Sequence, residues 1–348
     1  MKLNEIIKKI EPLDELAKQN CRKRWDSIAK PLYSLGKLEE VIVQISGITK
    51  SHKVKLDKRA LVIMCADNGV VEEGVTQVGS EITAIVSENF MDMNSCVCVM
   101  AQQAAVDVYP IDIGIMRDTK VPNRKVAYGT KNIRYEPAMT REQAVQAIEV
   151  GIETVFELKE KGYHILATGE MGIGNTTTSS AVSSVLLELS PEVVTGKGAG
   201  LSDTGLEKKR KVIAEAIELH KPDKNDPIDV LAKVGGFDIA GLAGVYLGAA
   251  AAKIPVVMDG FISAAAALAA VGIEPEVIHY IIPSHVSKES GGKRLLDALG
   301  KEPFLTCDMC LGEGTGAVAL FPLLDMALEV YLKMSTFEEI EIEAYQPL

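Results

Sequence analysis

The amino-acid sequence predicts an α/β protein with a parallel sheet flanked by helices, and three observations carry that prediction. Short β-branched or apolar runs recur along the chain, helical patterns mostly separate them, and each run ends in polar or glycine-containing punctuation. Strands that alternate with helices pair in parallel and are buried on both faces, so they read as continuous apolar runs. In open sheets of this kind ligands collect outside the carboxyl ends of the strands. The punctuation falls on that end throughout, so motifs far apart in sequence are expected to converge on one cleft.

In chain order, LVIMC (61–65) runs into Ala66-Asp67-Asn68-Gly69, and VDVYPI (106–111) into Asp112-Ile113-Gly114. HILAT (164–168) runs into GEMGIGNTTTSSA (169–181), which leads to a helical pattern. TGKGAGLSDTGLEKKRKVI (195–213) passes from a glycine loop into a helix bearing Lys208, Lys209, Arg210 and Lys211. The most apolar stretch, 239–273, reads as a buried helix, the buried strand PVVMD (255–259) and an Ala-rich helix. Its longest uncharged run, Ile239 to Ala252, is 14 residues, short of the ~20 a spanning helix needs. VIHYIIP (277–283) runs into Ser284-His285, and LGEGTGAVALF (311–321) opens a last apolar segment.

Composition narrows the function classes. A chain of 348 residues is long enough for one large domain or two ordinary ones, and 47% hydrophobic with 24% charged residues is normal for a globular protein with a sizeable core. The net charge of −11 argues against nucleic acid or an anionic membrane as partner. A small anionic ligand stays compatible, because a local cluster of donors outweighs distant screened charge. The N-terminal MKLNEIIKKIEPLDELAKQ mixes charges and has no apolar h-region, so no secretory signal is expected and the chain reads as cytoplasmic. The six cysteines show no disulfide framework. Cys307-Asp-Met-Cys310 has no second CxxC and no nearby histidine pair, so incidental buried thiols are expected rather than a metal or redox site. No Walker A, EF-hand or H-x-x-x-H pattern occurs, and no metal is expected.

The stretch after HILAT sets the chemistry. Its glycines allow a tight turn and a close approach of the backbone to a ligand. Asn175 or Thr176 is placed to cap the helix, and the free N–H groups with the helix dipole favour an anion such as phosphate. An ordinary capped strand-to-helix turn accounts for the same residues. In 195–213 the lysines read either as a solvated basic face or as the source of one ammonium that closes over a phosphate. The hydroxyl-rich 282–292 offers further phosphate donors. Glu313, between glycines before an apolar segment, fits a general base whose pKa is raised by burial. It fits equally a carboxylate that charges the first turn of the next helix.

ADNGVVEEGV, GEMGIGNTTTSSA, GKGAGLSDTGLEKK, KVGGFDIAGLAG, VVMDGFISAAAAL, PSHVSKESGG and LGEGTGA, in that order, resemble the nicotinate-nucleotide–dimethylbenzimidazole phosphoribosyltransferase family. KPLYSLGKLEE and MSTFEE extend the resemblance to nearly the whole chain. It implies a Rossmann-like parallel sheet, here 60–290, with a smaller helical domain built from both chain ends (1–59 with 291–348). It implies a dimer, a heterodimer with a paralogue being the alternative, and no cofactor. The implied reaction displaces nicotinate from nicotinate mononucleotide with an incoming base, inverting the anomeric carbon, to activate the lower ligand of cobamides. Glu313 is then the general base and Glu170 sits at the reaction centre. Gly172, Gly174, Asn175, Thr176 and Thr177 hold the nucleotide with Lys209 on the phosphate side; Gly198, Gly200, Ser284, Ser287, Gly312 and Gly314 are further nucleotide candidates.

The chain departs from the family pattern mainly where the resemblance puts the incoming base. Thr76-Gln77-Val78-Gly79-Ser80 stand where the usual pattern has a small residue, an aromatic or similar one, Pro and Gln, and Val86 replaces a polar residue. Tyr33 replaces a glycine of the N-terminal motif, and Asn68 stands for a histidine. Val78, Gly79, Ser80, Val86 and Leu311 form the expected base pocket. Either the pocket drifted and still takes an azole such as dimethylbenzimidazole, or it was re-cut for a phenol that Glu313 would deprotonate. A weakly active nucleotide-binding subunit and a transferase for another phosphorylated substrate are the remaining alternatives.

Overall fold

A computed structural model describes residues 1–198 and 200–345; Ala199 of the GKGAG motif and the last three residues of the expected smaller domain lie outside the described residues. Five parallel strands, β1 (Arg59–Ala66), β2 (Asp107–Gly114), β3 (Ile165–Met171), β4 (Val256–Met258) and β5 (Ile281–Pro283), lie in the order β2-β1-β3-β4-β5. From β1 the chain moves outward to β2, then returns past β1 to β3 and continues the other way. The order therefore reverses between β1 and β3, where an open sheet forms its ligand crevice.

All eight residues of β1 are buried, and their alternation assigns them to two cores. Ala60, Val62 and Met64 face a core shared with the helices Arg141–Glu160 and Phe237–Ala252. Leu61, Ile63 and Cys65 face a second core with Phe90, Val97 and the helix Thr315–Lys333. Phe237–Ala252 is buried all round, as expected of a helix packed between sheet and helices, and it leads through β4 to the Ala-rich helix Phe261–Ile273. By length and composition Thr315–Lys333 is apolar enough to cross a membrane, a property the sequence reading did not assign to it. Here its Ala317, Val318, Leu320, Phe321 and Leu324 are buried in the second core. The chain ends meet: Trp25 packs on Tyr331 with ring centroids 5.1 Å apart, and Phe337 N–H donates to the Ser27 carbonyl at 3.0 Å.

Strand boundaries shift from the sequence reading throughout, and three of the shifts bear on the site. In VIHYIIP only Ile281–Pro283 is strand, because Pro275 and the capping Glu274, whose side chain accepts from Glu276 N–H, start a 3-10 turn over Pro275–Tyr280. β4 is three residues long, shorter than PVVMD. β3 runs through Thr168-Gly169-Glu170 to Met171, paired along β1 from Arg59↔Ile165 to Cys65↔Met171. Glu170 is thus a strand residue, held by the sheet rather than by a loop.

Candidate active site

Glu170 stands next to last in β3, opposite Met64, and is 6% exposed. Beyond it the backbone needs glycine twice. A Cβ on Gly172 would lie 2.4 Å from the Ala66 carbonyl, and Gly174 has a φ of +91°. Gly174, not Asn175 or Thr176, is the N-cap of the helix Asn175–Leu187, and no side chain caps it. This corrects the expected cap, and the reason is that both side chains are engaged elsewhere. The Asn175 amide donates to Glu170 and, at 3.0 Å, to Asp238. The Thr176 hydroxyl accepts from Lys209 Nζ at 2.8 Å.

Lys209 stands on the helix Asp203–His220 and is 1% exposed, so of the four consecutive basic residues it is the one turned inward. Burial pulls its ammonium down to about 8, with Glu289 opposing. The loop over it is glycine for a reason: a Cβ on Gly198, at φ +55°, would meet Thr176 Oγ1 at 2.9 Å and Lys209 Nζ at 3.4 Å. A buried, partly desolvated ammonium beside a helix N-terminus suits a phosphate dianion, which would restore the charge that burial disfavours.

Glu313 approaches from the opposite side. It adopts φ +61° between Gly312 (+90°) and Gly314 (+93°), and its backbone passes so close to β3 that a Cβ on Gly169 would lie 2.4 Å from the Glu313 carbonyl oxygen. Its carboxylate accepts from Val97 N–H at 3.2 Å, at the start of the helix Cys96–Gln103. It therefore does not charge the helix that follows it, Thr315–Lys333, whose N-cap is Gly314. Burial raises its pKa, opposed by the Val97 N–H and the Ser95 hydroxyl, while Asp259 adds to the rise.

One cavity of about 330 Å³ joins these parts. Of the sequence candidates it is lined by Glu170, Gly172, Gly174, Asn175, Thr176, Gly198, Lys209, Ser287, Gly312 and Glu313, and by Val78, Val86 and Leu311. The others are placed outside it. Thr177 is fully buried within its helix, and Ser284 lies behind the cleft, its hydroxyl 3.0 Å from His285 Nδ1. The Gly200 carbonyl accepts from Gln77, and Gly314 serves as a helix cap. Gly79 and Ser80 lead into the helix Glu81–Met91 and leave the wall to Val78 and Val86. Cys96, Cys307 and Cys310 are exposed, correcting the expectation of buried thiols, and Cys310 lines the cleft. The loop that carries Glu313 to the sheet has to cross open surface first. Among the described residues no group of three or more His, Cys, Asp or Glu is arranged to hold a metal ion.

The sequence reading missed Asp259 and His285 as lining residues, and Asp238 behind them. Asp259 Oδ1 accepts from the Gly316 and Ala317 N–H groups at 2.8 and 3.0 Å, pinning the start of the helix that follows Glu313. His285 Nδ1 lies 3.9 Å from it. Burial raises the Asp259 carboxyl, and His285 works against the rise. Their signal was available, since both stand at the carboxyl ends of strands. The floor of the cleft is thus rich in carboxyl groups, its outer wall apolar, and its far end carries one buried ammonium.

A profile of the family described as phosphoribosyltransferase matches residues 10–342. The nicotinate-nucleotide–dimethylbenzimidazole phosphoribosyltransferase of Acetivibrio thermocellus is 51% identical over 99% of this chain and 97% of its own length. That of Ruminiclostridium cellulolyticum is 50% identical over the full length of both. Among solved structures, the crystal structure of CobT from Thermus thermophilus superposes with a TM-score of 0.89 at 37% identity, covering 95% of this chain and all of that one.

Proposed function

The chain belongs to this phosphoribosyltransferase family, and from that premise we propose that it moves the 5-phosphoribosyl group of nicotinate mononucleotide onto a lower-ligand base, dimethylbenzimidazole or a related azole. The products are an α-riboside 5′-phosphate for cobamide synthesis and nicotinate. The observation that carries the reading is the continuity of the cleft: a phosphate cradle with Lys209, a floor of carboxyl groups and an apolar wall lie along one cavity.

The chemistry fits that layout. The incoming base attacks the ribose C1′ while the C1′–N bond to the pyridinium breaks, and the bonding pair returns to the ring, which leaves without its positive charge. The leaving group is activated by its own charge. What remains for the protein is positioning, worth ~7 kcal/mol or more of barrier when geometry is good, and removal of one proton from the incoming base. In this reading Glu313 takes that proton. The ionised Glu313 carboxylate favours the positive charge that develops at C1′. Lys209 and the N–H groups around Gly174 and Thr176 hold the phosphate.

Attack from the face opposite the departing ring inverts C1′. A second reading, a phenol or p-cresol acceptor forming an O-glycoside, is favoured by the apolar side chains of Val78, Val86 and Leu311, none of which offers an azole nitrogen a partner. We further propose a cytoplasmic dimer, and chain ends that form a small helical domain beside the sheet; the packing of Trp25 on Tyr331 supports the second of these.

A competition assay tests the acceptor. The purified chain receives nicotinate mononucleotide with equal amounts of dimethylbenzimidazole, benzimidazole, adenine, phenol and p-cresol, and products are identified by mass. A benzimidazole riboside phosphate as main product is expected. A phenolic riboside phosphate would replace the azole reading by the second one, and bound nucleotide without product would contradict both.

A further inference from the structure

KVGGFDIAGLAG places an aspartate in the first turn of a helix that is otherwise all core. Asp238 is fully buried, and the Asn175 amide links it to the cleft. The two hydrogens of the Asn175 Nδ2 group are both used, one on Glu170 and one on Asp238. The amide oxygen is therefore turned to the remaining side, and Asn175 lines the cleft. Among the described residues neither carboxyl group forms a salt bridge: the groups that act most on Glu170 are Asp238, Asn175, Asp259 and the Glu313 backbone, and those on Asp238 are Asn175, Asn68 and backbone N–H groups.

We propose that Asp238 is a positioning residue: through the Asn175 amide it fixes which way that amide faces the cleft and holds a proton on Glu170. Two carboxyl groups on one amide, both out of water and without a counter-ion, cannot both stay ionised at neutral pH. Asp238 is the better solvated by hydrogen bonds, accepting also from Ile239 N–H at 3.0 Å, so the proton resides on Glu170. The shifts agree in direction, Glu170 being pushed up to about 8 and Asp238 to about 6, each chiefly by burial. A neutral Glu170 offers the cleft an O–H donor rather than a base, which leaves Glu313 as the acceptor of a proton. The Asn175 amide oxygen, locked outward, accepts a hydroxyl of the bound sugar.

The other titratable groups around Glu170 are Cys65 from β1, Asp259 from the end of β4 with His285 beside it, Glu313, and Lys209 beyond Thr176. Asp67 and Asp112, at the ends of β1 and β2, are turned to the Met116 N–H and to Lys125. The use of the proton rests on the phosphoribosyl-transfer reading; the arrangement itself belongs to the ligand-free protein and is tested there.

The experiment follows the Glu170 carboxyl by 13C NMR in nucleotide-free protein labelled at glutamate, with Glu170→Gln assigning the resonance. The expected result is a protonated Glu170 at pH 7 and a midpoint that falls by about one unit or more in Asp238→Asn, the size typical of removing a like charge from a shared site. In the same variant the basic limb of kcat/KM moves acidward with it, and KM for the nucleotide rises. A purely structural role would lower activity without moving either midpoint. An ionised Glu170 at pH 7, or a midpoint that Asp238→Asn leaves in place, overturns the proposal. Asp238→Ser removes the same charge and takes over the test if Asp238→Asn does not fold. Absence of phosphoribosyl transfer with the NMR shift intact would count against the function and not against this arrangement.

Discussion

At Glu313 a non-glycine residue holds a left-handed backbone between two glycines that do the same, a conformation that costs an L-residue about 1–2 kcal/mol. Such strain persists where surrounding structure enforces it, and here the close passage over Gly169 and the anchor from Asp259 do so. Replacing Glu313 by Gln keeps the shape and removes the proposed base, so kcat should fall by ~10²–10⁴ while nucleotide affinity, measured by calorimetry, stays within a few fold. Lys209→Met should weaken nucleotide binding, and the pH dependence gives the sign. Its ammonium, pulled down to about 8, is charged below that value, so wild-type affinity should decline as pH rises through 8. The variant should lack that decline, and an unchanged one would show that another group sets it. Glu313 was legible in sequence because a carboxylate between glycines is an oddity in its local pattern, whereas Lys209 was told from its basic neighbours only by the family resemblance. Asp238 was not, because an acidic residue in a first helical turn ordinarily means only a favourable dipole interaction.

The elements that position these groups were legible where periodicity is strong and were misread where a local device overrides it. The buried helix, short strand and Ala-rich helix of 237–273 follow from their apolar runs. The capping of Pro275–Tyr280 and the extension of β3 depend on one side chain and one pairing register, which composition does not display. The close approach of the helices Arg141–Glu160 and Phe237–Ala252 is likewise set by glycines that look unremarkable in sequence. A Cβ on Gly244 would lie 2.0 Å from the Ile148 carbonyl, and one on Gly151 2.0 Å from that of Gly241. Backbone, not a movable side chain, is what such a Cβ would strike. Gly244→Ala should therefore separate the two helices and cost about 1–3 kcal/mol or more, as overpacking does. Urea denaturation would measure this, and an unchanged midpoint would mean the helices sit farther apart than described.

For the whole molecule the buried charges of the cleft leave a signature in stability. Glu170 and Asp238 have raised pKa values, so their contribution is full below the ordinary carboxyl range and is lost as pH rises through about 6 and then about 8. Lys209 is depressed to about 8, so its contribution is lost as pH falls from its ordinary value through 8. Together these groups give the ligand-free protein a stability minimum near pH 8, which a melting series across pH 5–10 should reveal. Bound nucleotide should fill in the minimum by charging Lys209. A free protein whose melting temperature rises steadily to pH 8 would contradict this account of the cleft. The cost of an imperfectly stable empty site is consistent with groups arranged for a ligand rather than for the fold.

The most direct measurement of the central claim is a single-turnover reaction of the purified chain with nicotinate mononucleotide and dimethylbenzimidazole, run beside Glu313→Gln. Released nicotinate is quantified, and the configuration at C1′ of the product is read by NMR. The account predicts one nicotinate per riboside phosphate, the α anomer, and formation of both products slowed by ~10²–10⁴ in the variant. A β anomer, nicotinate without riboside, or undiminished turnover in Glu313→Gln would contradict it.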